Sequence, residues 1–214
     1  MAGVFALPAV LLAFAPFHAS TQALPAPVRT QLKAEGFWRA SCPVGLSDLR
    51  LLTVSHWDFE GRAQTGQLVV NARAADPLKR VFGSLYALHF PIRHLQLADM
   101  YGPTRDRPRD GDVSGSFDCR QAVPSPCTGG RGTGTWSMHA YGLAVDVNPV
   151  ENPYVLGSSV HPRAGRAYLD RSRYRPGMAV AGRLLVRVFA AAGWQWGGRW
   201  TGSPDYQHFS ASGG

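Results

Sequence analysis

Apolar and polar positions along this chain change period several times, and each change predicts an element. Leu49 to Val54 and Gln67 to Val70 are aliphatic runs separated by Gly61 and Gly66, which predicts a β-hairpin. Asp76-Pro77 predicts a helix start, with Asp as N-cap and Pro at the first helical position. Leu78, Val81, Phe82, Leu85 and Leu88 keep a helical period behind it. Leu95 to Met100 alternates as a strand, and Leu143, Val145 and Val147 alternate with Ala144, Asp146 and Asn148 in another. A second long helix is expected from Met178 to Ala192, stopped by Gly193, with a strand at Trp194-Gln-Trp196 and a turn at Gly197-Gly198 after it. A short helix is expected over Val28 to Phe37. Tyr101 to Thr135 is polar and Gly/Pro-rich, a long loop whose acids Asp106, Asp110, Asp112 and Asp118 read as a solvated surface. With no internal repeats, this order predicts an α+β fold: a small antiparallel sheet with a few flanking helices.

Composition adds a location and excludes some partners. The chain has 214 residues, 45% apolar and 17% charged, which suits a globular domain with a proper core rather than disorder. The first 23 residues hold no acid, Lys or Arg and are apolar from Val4 to Phe17. That stretch is too short and too Pro-broken for a membrane span and predicts a secretory signal peptide over 1–23, cleaved near Ala23. Residues 24–75 then form an arm and hairpin packed on a core of 76–214. A secreted or cell-wall-associated monomer is expected, with no stable membrane insertion after cleavage. The net charge of +8 suits anionic wall polymers, or simply solubility. No interleaved aromatic-and-basic motif is present and the arginines read as scattered, so nucleic acid is not an expected partner. Cys42, Cys119 and Cys127 include no CxxC, which argues against a cysteine metal site and for one disulfide with a spare thiol. Of the three possible pairings, Cys42 with Cys119 is favoured, tying the arm to the loop before the motifs below.

Chemistry concentrates in two motifs. One is Ser137-Met-His139-Ala-Tyr-Gly142-Leu-Ala144-Val-Asp146; the other is Asp205-Tyr-Gln-His208-Phe209. Two imidazoles and two carboxylates supply what a hydrolytic zinc site needs: three ligands, an open position and a base. His139 and Asp146 are too far apart for one helical turn, so the chain must bend between them, and Gly142 permits the bend. We read His139, Asp146 and His208 as ligands and Asp205 as the uncoordinated base. A Ser137-His139-Asp146 triad is the rival. It is weakened by the close spacing of Ser137 and His139 and by the missing GxSxG turn. Ser137 is expected to orient the backbone or a ligand carboxylate. His56, His89, His94 and His161 read as structural or surface residues.

These motifs resemble the zinc D-Ala-D-Ala carboxypeptidases of the VanY type, a family that includes peptidoglycan endopeptidases. The signature is SxHxxGxAxD followed by DxxHF, and Phe117 to Arg120, Val147-Asn148-Pro149, Asn152-Pro153-Tyr154 and Gly193 to Gly198 also look typical. The resemblance implies the α+β core shared with the Hedgehog signalling domain, zinc on His139, Asp146 and His208, and Asp205 as base. It also implies an upstream arginine that stabilises the reacting carbonyl or holds a substrate carboxylate; Arg120 is the best match, with a structural pair to Asp118 as its alternative. Ser137, Trp200 and Tyr206 are expected to border the substrate, whereas Trp196 is expected in the core. The expected substrate is a peptidoglycan stem peptide, cut by a D,D-carboxypeptidase. An endopeptidase, or a non-catalytic zinc-containing wall-binding module, is the alternative. The insert from Gln121 to Gly134 departs from the family pattern.

Overall fold

The computed structural model describes residues 15–97, 108, 110–122 and 135–212. Its chain order is β1 (Ala19–Ala23), α1 (Ala26–Ala34), β2 (Leu49–Trp57), β3 (Ala63–Asn71), α2 (Ala72–Ala87), β4 (His94–Leu95), β5 (Val113–Ser114), β6 (Ala144–Asp146), β7 (Tyr154–Leu156), β8 (Ser159–His161), α3 (Leu184–Ala191), β9 (Gln195–Trp196) and β10 (His208–Ser210). This is the expected α+β class. The strands form an antiparallel β1-β2-β3 sheet, an antiparallel β6-β10-β9 sheet, a parallel β4-β5 pair and an antiparallel β7-β8 pair.

The β2-β3 hairpin forms as its apolar runs predict, and it is buried on both faces. Side chains alternate across a strand, so Leu52, Val54, Leu68 and Val70 enter the larger core with α2, α3, β6 and β10. Leu49, Leu51 and Val69 face the other way, onto Leu24, Leu32, Phe37 and Phe117. The Cys42–Cys119 disulfide closes this second, smaller cluster, realising the favoured pairing. Cys127 lies outside the described residues, as do 123–134 of the insert; Gln121 and Trp136 bridge antiparallel at its base.

Several boundaries differ from expectation; α1 covers Ala26–Ala34 rather than Val28 to Phe37, and Gly66 lies inside β3. Helix α2 begins at Ala72 rather than at Asp76-Pro77, because Asn71, the last hairpin residue, caps it: its Oδ1 accepts from the Arg73 amide at 3.2 Å. The good helix formers Ala72 to Ala75 extend the helix backward, and Pro77 sits inside it. Helix α3 is shorter than expected. Gly182 at φ +74° and an extended Arg183 hold the preceding residues in turns, although Met178 and Ala179 are still buried. Of the Leu95 to Met100 strand, only Leu95 is in β4, and residues 98–100 lie outside the description.

The expected signal-peptide boundary falls inside a folded strand. Strand β1 pairs with β2 from Ala19↔Val54 to Ala23↔Arg50. Phe17 packs 5.5 Å from the Tyr86 ring on α2, and the Tyr86 hydroxyl donates to the Ala15 carbonyl at 2.7 Å. A cut near Ala23 would therefore remove a sheet strand and an aromatic contact. The loop acids are also not uniformly solvated. Asp112 is 1% exposed and faces buried Glu151, with Arg93 Nε 3.4 Å from its carboxylate; Asp110 pairs with His94 at 2.9 Å. Asp106 lies outside the described residues.

Candidate metal centre

His139 is delivered by a 3-10 turn over Met138–Tyr141. The Ser137 hydroxyl caps this turn by accepting from the His139 amide at 3.3 Å, so it orients backbone. The turn ends at Gly142, whose φ of +66° suits a residue without a side chain. A Cβ there would also lie 2.6 Å from the Asn71 nitrogen. That close approach lets the Asn71 amide donate to the Gly142 carbonyl at 2.8 Å and its side-chain amide donate to the Tyr141 carbonyl at 3.0 Å. The His139 turn is thus docked on the hairpin end.

Strand register supplies the other two members of the cluster. In the β6-β10 pair, His208 stands directly opposite Asp146, and side chains at such a pair share one face. On its other side, Asp146 exchanges backbone hydrogen bonds with Gly115 at 2.9 and 3.0 Å. Gly115 leads to Ser116, whose carbonyl lies 2.6 Å from His139 Nδ1. A carbonyl can only accept, so Nδ1 carries the proton and the neutral ring turns the Nε2 lone pair inward. Neither Gly115 nor Ser116 was legible as part of the site, since a backbone carbonyl leaves no mark on side-chain type.

The three inward atoms form a tight triangle. His139 Nε2 is 3.1 Å from His208 Nδ1 and 3.3 Å from Asp146 Oδ2, and His208 Nδ1 is 3.2 Å from Asp146 Oδ1. All three residues are buried. Tetrahedral zinc with bonds of about 2.0–2.1 Å sets its ligand atoms about 3.3 Å apart, so the triangle has the edge length the ion requires. The chemistry fits as well: the His139 lone pair faces a carboxylate oxygen, a contact between two acceptors that a cation between them relieves. His139, Asp146 and His208 therefore fit the metal, and among the described residues they are the cluster able to hold one. Burial alone would raise the Asp146 carboxyl, but the two imidazoles override it and hold it far below the ordinary range. Burial lowers His208 against the pull of Asp146, which favours the neutral, ligating ring.

Asp205 comes from the turn before β10. Its amide donates to the Gly197 carbonyl at 3.1 Å, and it bridges to Tyr154. Its Oδ1 is buried with no hydrogen-bond partner among the described residues. Burial, and then the Asp146 charge, raise it well above the ordinary carboxyl range, while His139 and Arg120 act the other way. Asp205 is thus close enough to feel the triangle without joining it. Arg120 pairs with Asp118, Nε to Oδ2 at 3.2 Å, and its charge is felt by both Asp205 and His208. Trp200 sets its ring 5.1 Å from that of His208, at the site's edge. Tyr206 packs 6.0 Å from Trp196, with the Arg171 guanidinium 4.6 Å over its face. Trp196 is in the core, as expected, and its indole donates to the Tyr206 carbonyl at 2.8 Å, between Asp205 and His208 in sequence.

Residues 131–211 match the model of a family described as D-alanyl-D-alanine carboxypeptidase. The matched stretch holds both motifs and all four site residues, and it is the family that the motifs resemble. The match supports a peptidase of this family. No curated protein and no solved structure matches the chain.

Proposed function

We propose that this chain is a secreted, zinc-dependent peptidase of peptidoglycan stem peptides, acting as a D-alanyl-D-alanine carboxypeptidase. The observation that carries the reading is the 3.1–3.3 Å triangle of His139, Asp146 and His208 beside the uncoordinated carboxylate of Asp205. His139, Asp146 and His208 would hold the metal. When bound, it supplies Lewis-acid polarisation of the scissile carbonyl and acidification of the attacking water.

The remaining work falls to the chain's own groups. Asp205 takes one proton from the water as oxygen adds to the carbonyl carbon. It returns that proton to the amine nitrogen as the C–N bond breaks, and the proton left on the new carboxyl passes to the amine, giving a carboxylate and free D-Ala with its amine protonated. A base serves best when its pKa approaches the working pH, and burial with the nearby Asp146 charge moves Asp205 in that direction. Ser116 keeps His139 in the ligating tautomer. Arg120, whose positive charge is felt at Asp205 and His208, would suit a terminal carboxylate or a developing oxyanion. Trp200 and Tyr206 border the site.

Product analysis tests the reading. Purified pentapeptide stems and intact wall are incubated with the zinc-loaded protein, and products are weighed by mass spectrometry. Free D-Ala with shortened stems is expected. Cleavage within the stem or cross-bridge would reassign the protein as an endopeptidase. Asp205→Ala should keep its zinc and lose turnover by at least about a hundred-fold; unchanged turnover would remove Asp205 as base. Wall binding without new amine ends would leave a binding module.

A further inference from the structure

The positive charge of this chain is not scattered. Residues 163–199 contain eight arginines and one acid, Asp170, so they carry seven of the chain's eight excess positive charges. Arg183 and Arg187, one turn apart at the start of α3, are exposed and line a groove of about 810 Å³ between α2 and α3. Ser84 and Leu88 form the α2 wall, and exposed Arg80 lies one turn earlier on the same stripe. The acid on that stripe, Asp76, is held by Lys79 at 2.7 Å. No acid lines the groove among the described residues.

The groove is apolar between its arginines. Leu184, Val188 and Ala191 line it, and Leu88 and Tyr174 stand out at 58% and 39% exposure, two of the three large hydrophobic side chains most exposed among the described residues. Arg183 lies 5.1 Å over the Tyr174 ring. Basic side chains that border projecting Leu and Tyr side chains suit an interface with charge on its surface and hydrocarbon just beneath. Polyanions without hydrocarbon would use the arginines and leave Leu88 and Tyr174 in water.

We propose that the α2-α3 groove is a peripheral docking surface for an anionic phospholipid bilayer. Arg80, Arg183 and Arg187 contact headgroup phosphates, and Leu88 and Tyr174 enter the acyl boundary. This goes beyond the hydrolytic reading and does not depend on it.

The test is co-sedimentation of the full chain with vesicles of phosphatidylcholine alone or mixed equally with phosphatidylglycerol. Soluble polyphosphate serves as an anion without hydrocarbon. Binding to the anionic vesicles is expected, falling as salt rises. At about 1 kcal/mol per basic residue near the surface, Arg183→Ala with Arg187→Ala should weaken partitioning about thirty-fold. Leu88→Ala with Tyr174→Ala should weaken vesicle binding but leave polyphosphate binding unchanged. Far-ultraviolet circular dichroism and zinc content, unchanged in both variants, verify folding. Equal binding to neutral vesicles would assign attachment to the apolar N-terminal stretch and overturn the proposal. So would an arginine variant that partitions like the parent, or a Leu88/Tyr174 variant with undiminished vesicle binding.

Discussion

Gly197→Ala is a sharp perturbation of the site because it adds one carbon and removes no functional group. A Cβ at Gly197 would lie 2.8 Å from the Asp205 carbonyl oxygen, 3.2 Å from His208 Cβ and 3.3 Å from Asp205 Cβ. Comfortable separations of such atoms are about 3.5 Å or more, so the Asp205 turn must retreat by roughly 0.5 Å. The Asp205 amide is bonded to the Gly197 carbonyl at 3.1 Å, so the retreat stretches that bond as well. Overpacking of this kind costs about 1–3 kcal/mol of stability. A misplacement of about 1 Å can cost about a hundred-fold in rate, so half of that should cost about ten-fold in kcat, with a smaller change in KM. The assay is D-Ala release from a stem peptide at saturating substrate, run beside zinc content and thermal unfolding. Zinc retained with kcat down about ten-fold is the expected result. A variant within two-fold of the parent in kcat, or one whose whole loss follows lost zinc, would refute the claim that Gly197 sets the position of the base.

His139→Ala should abolish stoichiometric zinc binding, measured by elemental analysis. Parent activity should fall below about pH 5 to 6, where protonation competes for the imidazoles; a flat profile to pH 4 would contradict the ligand assignment. Burial and then the Glu151 charge push the Asp112 carboxyl up to about 8. The folded chain therefore keeps a proton that the unfolded chain releases near pH 4, and stability should decline as pH rises from about 4 toward 8. Asp112→Asn should flatten that decline in denaturant titrations, and an unchanged slope would sink the account. Cys42→Ser opens a link between residues 77 apart. It should lower stability by up to about 4.5 kcal/mol in chemical unfolding, and a loss near zero would show that the link does not constrain the unfolded chain.

Local sequence carried the side-chain types of the candidate site and much of the secondary structure, because each depends on near neighbours. The hairpin follows from two aliphatic runs, and the site residues stand out as polar groups in apolar surroundings. Boundaries were less legible where a distant partner intervened. Asn71 became the α2 cap only because the hairpin ends there, and Ala19–Ala23 became a strand only because the β2 edge accepts it. Apolar composition, which reads as a leader, does not register such a pairing.

The sequence by itself determined which side chains are available: two imidazoles, two carboxylates, a glycine to turn between them, and a basic stretch with few acids. Tertiary structure decided how they are used. Antiparallel register put His208 opposite Asp146, and the Ser116 carbonyl chose the tautomer of His139. The turn before β10 set Asp205 beside the His139, Asp146 and His208 triangle, and helix packing gathered Arg183, Arg187 and Leu88 around one groove. The physical reason is that residue type sets what a group can donate or accept, whereas tautomer, protonation and partner depend on distances and burial that form only when remote segments pack together.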